Sequence, residues 1–170
     1  MMNNHIKRIY LGELIKQAKH ATHCANLMDQ CEKHSTEDFF REAEHFIQHA
    51  AAISQLLWPS GSEAKKRAKY LRTELGITDD NILKNSALRN HIVHFDERLD
   101  TWANNSKGHN FVDQNIGVMI IGLDQTNYLR NYNPQNYEYT FLNEVFNLKK
   151  IQSAIEEMYH AVKTHIIVNK

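Results

Sequence analysis

Residues 35–57, STEDFFREAEHFIQHAAAISQLL, decide the fold class. Ser35-Thr36-Glu37-Asp38 is a helix-start signal, with a capping hydroxyl and acids in the first turn. Phe39, Ala43, Phe46, Ala50, Ile53 and Leu57 then recur at three- and four-residue steps, so one apolar stripe runs down one helical face. Pro59 and Gly61 end the pattern. A stripe of this length and bulk has to be buried against other helices.

The flanking segments supply them. Residues 4–33 repeat Leu11, Leu14, Ala18, Ala21, Ala25 and Met28 on one face. Ser60-Gly61-Ser62-Glu63 resembles a capping box and opens a third helix that ends at Gly76. Asp79 or Asp80 is expected to cap a fourth helix running to about Asn104, with Leu88, Ile92, Phe95, Leu99 and Trp102 as its core stripe. The pattern then changes. IGVMIIGL, TNYLRNY and NYEYTFLNEV are rich in β-branched and aromatic residues, with turns at Asp124-Gln125 and Asn133-Pro134-Gln135-Asn136. They predict a two- or three-stranded antiparallel meander. Asn147 caps a last helix that turns Leu148, Ile151, Ile155, Met158, Val162 and Ile166 inward. The expectation is a mainly α fold. It is an antiparallel bundle of about five helices with a small β insertion at about 111–146, all within a single domain spanning 1–170.

Composition narrows the function classes. The chain has 42% hydrophobic and 24% charged residues, and Lys+Arg balance Asp+Glu at 20 each. It therefore has no global field to draw in nucleic acid, and such binding has to use a local patch. The most basic stretch is the third helix, with Lys65, Lys66, Arg67, Lys69 and Arg72. Lys65, Lys66, Arg67 and Lys69 are the candidate RNA contacts, and the alternative is a solvated helix face. Cys24 and Cys31 lie two turns apart on one helix, too far for a disulfide, and read as reduced thiols. The N-terminal residues lack an apolar signal-peptide core, and no apolar run approaches the length needed to span a bilayer. The expected location is the cytoplasm.

LRNHIVHFDERLD, residues 88–100, joins chemistry to spacing. Arg89, Asn90 and His94 place a strong base, an amide and a titratable imidazole within two helical turns. Arg89-Asn90-His91-Ile92-Val93-His94 resembles the motif of HEPN-domain proteins, in the form found in the toxins of HEPN–MNT toxin–antitoxin pairs. That resemblance implies an antiparallel helical bundle and metal-independent RNA cleavage, so no cofactor is expected. In it His94 would move a proton at the ribose 2′-OH or at the leaving oxygen. Arg89 would bind the scissile phosphate, and Asn90 would orient one of these groups. It also implies a homodimer with a composite active site and a toxin or defence role, with an antitoxin or regulator as protein partner. Helix geometry agrees with a composite site, because residues five apart point about 140° away from each other. One departure is clear. The modified toxins carry a Tyr two residues after the His, and this chain has Asp96. Two alternatives stand beside the nuclease. Arg89 could join a surface ion-pair array with Asp96, Glu97, Arg98 and Asp100 while His94 is a dimer-interface or surface histidine, or the bundle could be a non-catalytic RNA- or protein-binding module.

Metal chemistry has two weaker candidates. Glu42-x-x-His45 and Glu157-x-x-His160, with Glu13 and Glu97, match the ligand types of a di-iron bundle. Both pairs fall away from the apolar stripes of their helices, whereas such ligands must point inward. His20, His23 and Cys24 cluster on the first helix without a closed ligand set.

Overall fold

The computed structural model describes residues 2–142 and 144–168, with the backbone alone at 91–93. Asn3 caps α1 (Asn4–Cys31) by accepting from the His5 N–H at 2.7 Å. Ser35 caps α2 (Thr36–Leu57) by accepting from the Asp38 N–H at 3.2 Å. A short turn joins α1 to α2. Their facing stripes, Leu11 to Met28 and Phe39 to Leu57, are buried as the spacing predicts. α6 (Leu148–Val168) closes the bundle with Leu148, Ile151, Ile155, Met158 and Val162 buried, and Ile166 packs against the same core from a partly exposed position. Asn147 accepts from the Lys150 N–H at 2.9 Å, the expected cap.

α3 (Ser62–Leu75) starts without the predicted capping box. Its N-cap is Gly61, which has no side chain to accept. Its end is as expected, because Gly76 takes the left-handed conformation (φ 65°) that lets its N–H reach back to the last carbonyls.

The expected fourth helix is broken. The chain makes a turn over Thr78–Asp80 and a 3-10 turn over Ile82–Lys84, then α4 (Ser86–Val93) and α5 (Phe95–Asn105). Asn85, not Asp79 or Asp80, caps α4. His94 sits at the break with φ −116° and ψ 32°. The reason is tertiary. Leu88 is buried with α2, while α5 turns to the β insertion. There the Phe95 ring lies 6.0 Å from Phe141, Arg98 forks onto Glu144 at 2.7 and 2.8 Å, and Trp102 Nε1 donates to the Asn127 carbonyl at 3.1 Å. The predicted stripe therefore does not stay in one core. Phe95 and Leu99 are exposed, Trp102 is half-buried, and the Ile92 side chain lies outside the described residues.

The insertion is a four-stranded sheet in the order β1 (Asn115–Ile116), β2 (Arg130–Asn133), β3 (Glu138–Phe141), β4 (Glu144–Asn147). β2–β3 is the expected antiparallel pair across the turn at 133–136, with Tyr132 opposite Tyr139. NYEYTFLNEV, expected as one strand, divides into β3 and β4, with Tyr139 opposite Phe146. IGVMIIGL, also expected as a strand, is one only at Ile116, where β1 pairs parallel to β2; Val118, Met119, Ile120 and Ile121 beyond it are exposed and have no core face to pair over. The sheet belongs to the main core. Tyr132 packs 4.5 Å from Phe39 and Tyr139 5.9 Å from Phe40, and Arg130 bridges Asp113 and Glu44 of α2. Buried Asn127 ties down the approach loop. Its amide donates to the Ser106 hydroxyl and to the carbonyls of Lys107 and Asn110.

No helix among the described residues is long and apolar enough to cross a membrane. Cys24 is buried and Cys31 half-buried, both as free thiols.

Candidate functional site

The site is built where α2 ends. An α-helix leaves its last carbonyls without intrahelical partners and carries partial negative charge there. Pro59 prevents continuation. Two arginines from elsewhere in the fold take up those carbonyls. Arg72 of α3 donates to the Leu57 carbonyl, and Arg89 of α4 donates from Nη1 to the Trp58 carbonyl at 2.8 Å. The Arg72 guanidinium also lies 5.4 Å from the Trp58 ring. Arg89 Nε is buried with no acceptor among the described residues.

Arg89 is shared by two grooves. The larger, about 610 Å³, is walled by Trp58-Pro59-Ser60, by α3 and by the turn leading to α4. Lys65, Lys69, Arg72, Lys84 and Arg89 line it, together with one carboxylate, Asp79. The smaller, about 460 Å³, is lined by Gln55, Pro59, Ser60, Arg89 and Asn90. Volumes of this size admit a nucleotide-sized segment rather than a lone ion. In a chain whose charges balance, this is a local concentration of positive charge of the kind that phosphate recognition needs.

Asp79 Oδ1 accepts from Trp58 Nε1 at 2.8 Å, and it lies 3.3 Å from Arg72 Nη2 and 3.9 Å from Lys84 Nζ. The indole hydrogen bond, with attraction from Arg72, Lys84 and Lys69, holds its carboxyl below the usual carboxylate range.

The structure divides the predicted residues. Arg89 and Asn90 meet at one groove. His94 is not among the described lining residues of either groove. Its side chain is 49% exposed at the α4–α5 break, with Nδ1 3.2 Å from Glu97 Oε2. Within one chain the motif therefore brings its cation and its amide, but not its imidazole, to the lining of the groove. Lys65 and Lys69 face the groove. Lys66 instead pairs with Glu63 at 2.8 Å, and Arg67 turns to α1, 4.4 Å over the Tyr10 ring with Nη1 3.1 Å from the Tyr10 hydroxyl. Positions 65, 69 and 72 share a helical face, so Arg72 was legible from spacing. Asp79 and Lys84 were not, because they reach the groove through the turn between α3 and α4, and Trp58 was not, because it meets them from the end of α2.

Of the metal candidates, Glu157 and His160 are exposed, and Glu42 is buried rather than on the outer shoulder of its helix. Glu42 lies 3.8 Å from His45 and pairs with Arg41. Burial, with Glu42 nearby, pushes the Cys24 thiol up to about 11. Among the described residues no three His, Cys, Asp or Glu side chains gather as a metal site. On the α1–α2 seam, His20 and His49 stack with centroids 5.2 Å apart, and His49 Nδ1 lies 2.7 Å from Gln17 Oε1.

Comparison with known proteins adds no relative: no family model, curated protein or solved structure matches this chain.

Proposed function

We propose that this chain binds RNA at the Arg89 grooves and cleaves it without a metal ion, as an endoribonuclease of the HEPN type. The observation that carries the reading is the convergence of Arg89 and Asn90 with Lys65, Lys69, Arg72 and Lys84 at the end of α2. Guanidinium and ammonium groups spaced along a groove suit consecutive phosphates.

In the proposed reaction His94 takes the proton of the ribose 2′-OH, and the 2′ oxygen attacks phosphorus. The bond from phosphorus to the 5′ oxygen breaks, and that oxygen leaves with a proton from an imidazolium. The products are a 2′,3′-cyclic phosphate and a 5′-hydroxyl. An imidazole titrates near neutrality and suits either proton transfer. Arg89 would stabilise the charge that builds on the pentacoordinate phosphorus. His94 lines neither groove within one chain, and the proposal therefore includes a homodimer in which one subunit's Arg89 meets His94 of the partner subunit. Such an activity fits a toxin or defence role controlled by a partner protein.

One observation favours a second reading, a non-catalytic RNA- or protein-binding module. His94 lines neither groove and is paired with Glu97. Incubation of the purified protein with RNA in EDTA, beside Arg89→Lys and His94→Ala, separates the two. RNA cut by the wild type and spared by the variants supports the nuclease. RNA bound but never cut supports the module. RNA neither bound nor cut removes both RNA readings.

A further inference from the structure

Asp79 accepts from the Trp58 indole N–H, a role that an uncharged acceptor would fill as well. Its side chain is 62% exposed, and an exposed ion pair contributes little to stability. It nevertheless stands in the one place where a carboxylate opposes phosphate binding. Its Oδ1 occupies the Trp58 indole N–H, and Arg72 and Lys84 turn to it at 3.3 and 3.9 Å. An indole N–H, a guanidinium and an ammonium are the donors that a phosphate oxygen would use. Asp79 sits on the turn between α3 and the 3-10 helix, so its side chain can swing out of the groove without disturbing a helix.

We infer that Asp79 is an internal anion that competes with a ligand phosphate for Arg72, Lys84 and the Trp58 indole. It thereby sets where the phosphate chain of a bound ligand is held. This deepens the RNA-binding reading and rests on it for the identity of the ligand. With Asp79 in place, phosphates are held by Lys65 and Arg89, which do not pair with it. With Asp79 neutral or displaced, Arg72, Lys84 and the Trp58 indole are released to hold one more.

Asp79→Asn is the informative substitution. The amide keeps the volume and the oxygen acceptor for Trp58 Nε1, and it removes only the charge. Glu63→Gln is its control, because Glu63 is an exposed carboxylate on the same helix as Lys65 and Lys69 that pairs with Lys66 instead. Single-stranded RNA affinity is measured for each across a salt series, and folding is checked by melting. The expected result for Asp79→Asn is binding tighter by about two- to fivefold, the size of one exposed charge interaction. The log–log salt slope should also steepen by about 0.7, one added phosphate contact. Glu63→Gln should leave the slope unchanged. Equal effects from both variants would mean net charge rather than place, and would overturn the inference, as would no change in Asp79→Asn. Either result leaves RNA binding by the wild type intact as a separate finding. If the wild type binds no RNA, inorganic tripolyphosphate is titrated instead. Tighter binding to Asp79→Asn then upholds the competing anion and rejects the RNA reading, and equal or absent binding rejects the anion as well.

Discussion

Replacing Arg89 by alanine tests what the structure makes of this residue, and the effect falls first on stability. Arg89 Nη1 donates to the Trp58 carbonyl at 2.8 Å, at a helix end that has no other continuation. Losing a hydrogen bond to a charged group costs about 1.5–3 kcal/mol. Removing a cation from the negative end of α2 costs roughly a further 0.3–1 kcal/mol. The two together come to about 2–4 kcal/mol. At roughly 2–4 °C per kcal/mol for a chain of this size, the melting midpoint should fall by about 4–16 °C. Urea denaturation is the better assay, because the midpoint should drop while the slope holds, the mark of lost stability without a change in compactness. Arg89→Lys keeps the charge without the fork and should recover part of the loss. If Arg89→Ala melts within about 1 °C of the wild type, the capping role is wrong. If it melts as expected, any loss of RNA binding or cleavage in this variant has to be read well below its lowered midpoint.

Two further outcomes follow from the fold. His49 is packed on His20, near His45, and against Gln17, which in turn holds Glu13. Burial, with repulsion from His20 and His45, lowers its pKa below the ordinary 6.5. Because the unfolded chain then binds the proton more readily, the stability from neutral His49 is full above about pH 6.5 and is lost as pH falls through the lower folded value. The melting midpoint should therefore fall as pH drops below about 6.5, less steeply in His49→Gln, and parallel profiles would refute this. Asn127→Ala removes the amide that holds Ser106, Lys107 and Asn110. It should cost about 2–4 kcal/mol and raise amide exchange across residues 105–112 in particular, whereas uniform exchange would contradict the local anchor.

The helical frame was legible because its signals are local. The α2 stripe, the caps at Ser35 and Asn147 and the stop at Gly76 each follow from a few neighbouring residues. The break at His94 was not legible. Leu88 to Trp102 keep a continuous helical period, and only the pull of α5 toward Phe141, Glu144 and Asn127 divides it. The parallel pairing of β1 with β2 was hidden for a similar reason, since Asn115-Ile116 carries no alternation to read. At the site, Arg89 and Asn90 were legible as a motif and Lys65 and Lys69 as a basic face. The division of that face was not read, although Lys66 and Arg67 lie off the helical line through Lys65, Lys69 and Arg72. The roles of Trp58 and Asp79 depend on the end of α2 meeting a turn from another part of the chain, which no local pattern records.

In the proposed reaction His94 cuts RNA together with Arg89 and without a metal ion. The most direct measurement is cleavage of a labelled RNA by the wild-type protein in EDTA, with the product ends identified, beside His94→Ala. The expected result is 2′,3′-cyclic phosphate ends and a loss of about 100-fold or more in the variant, the usual contribution of a general acid or base. RNA left intact by the wild type, or cut equally well by His94→Ala, would contradict it.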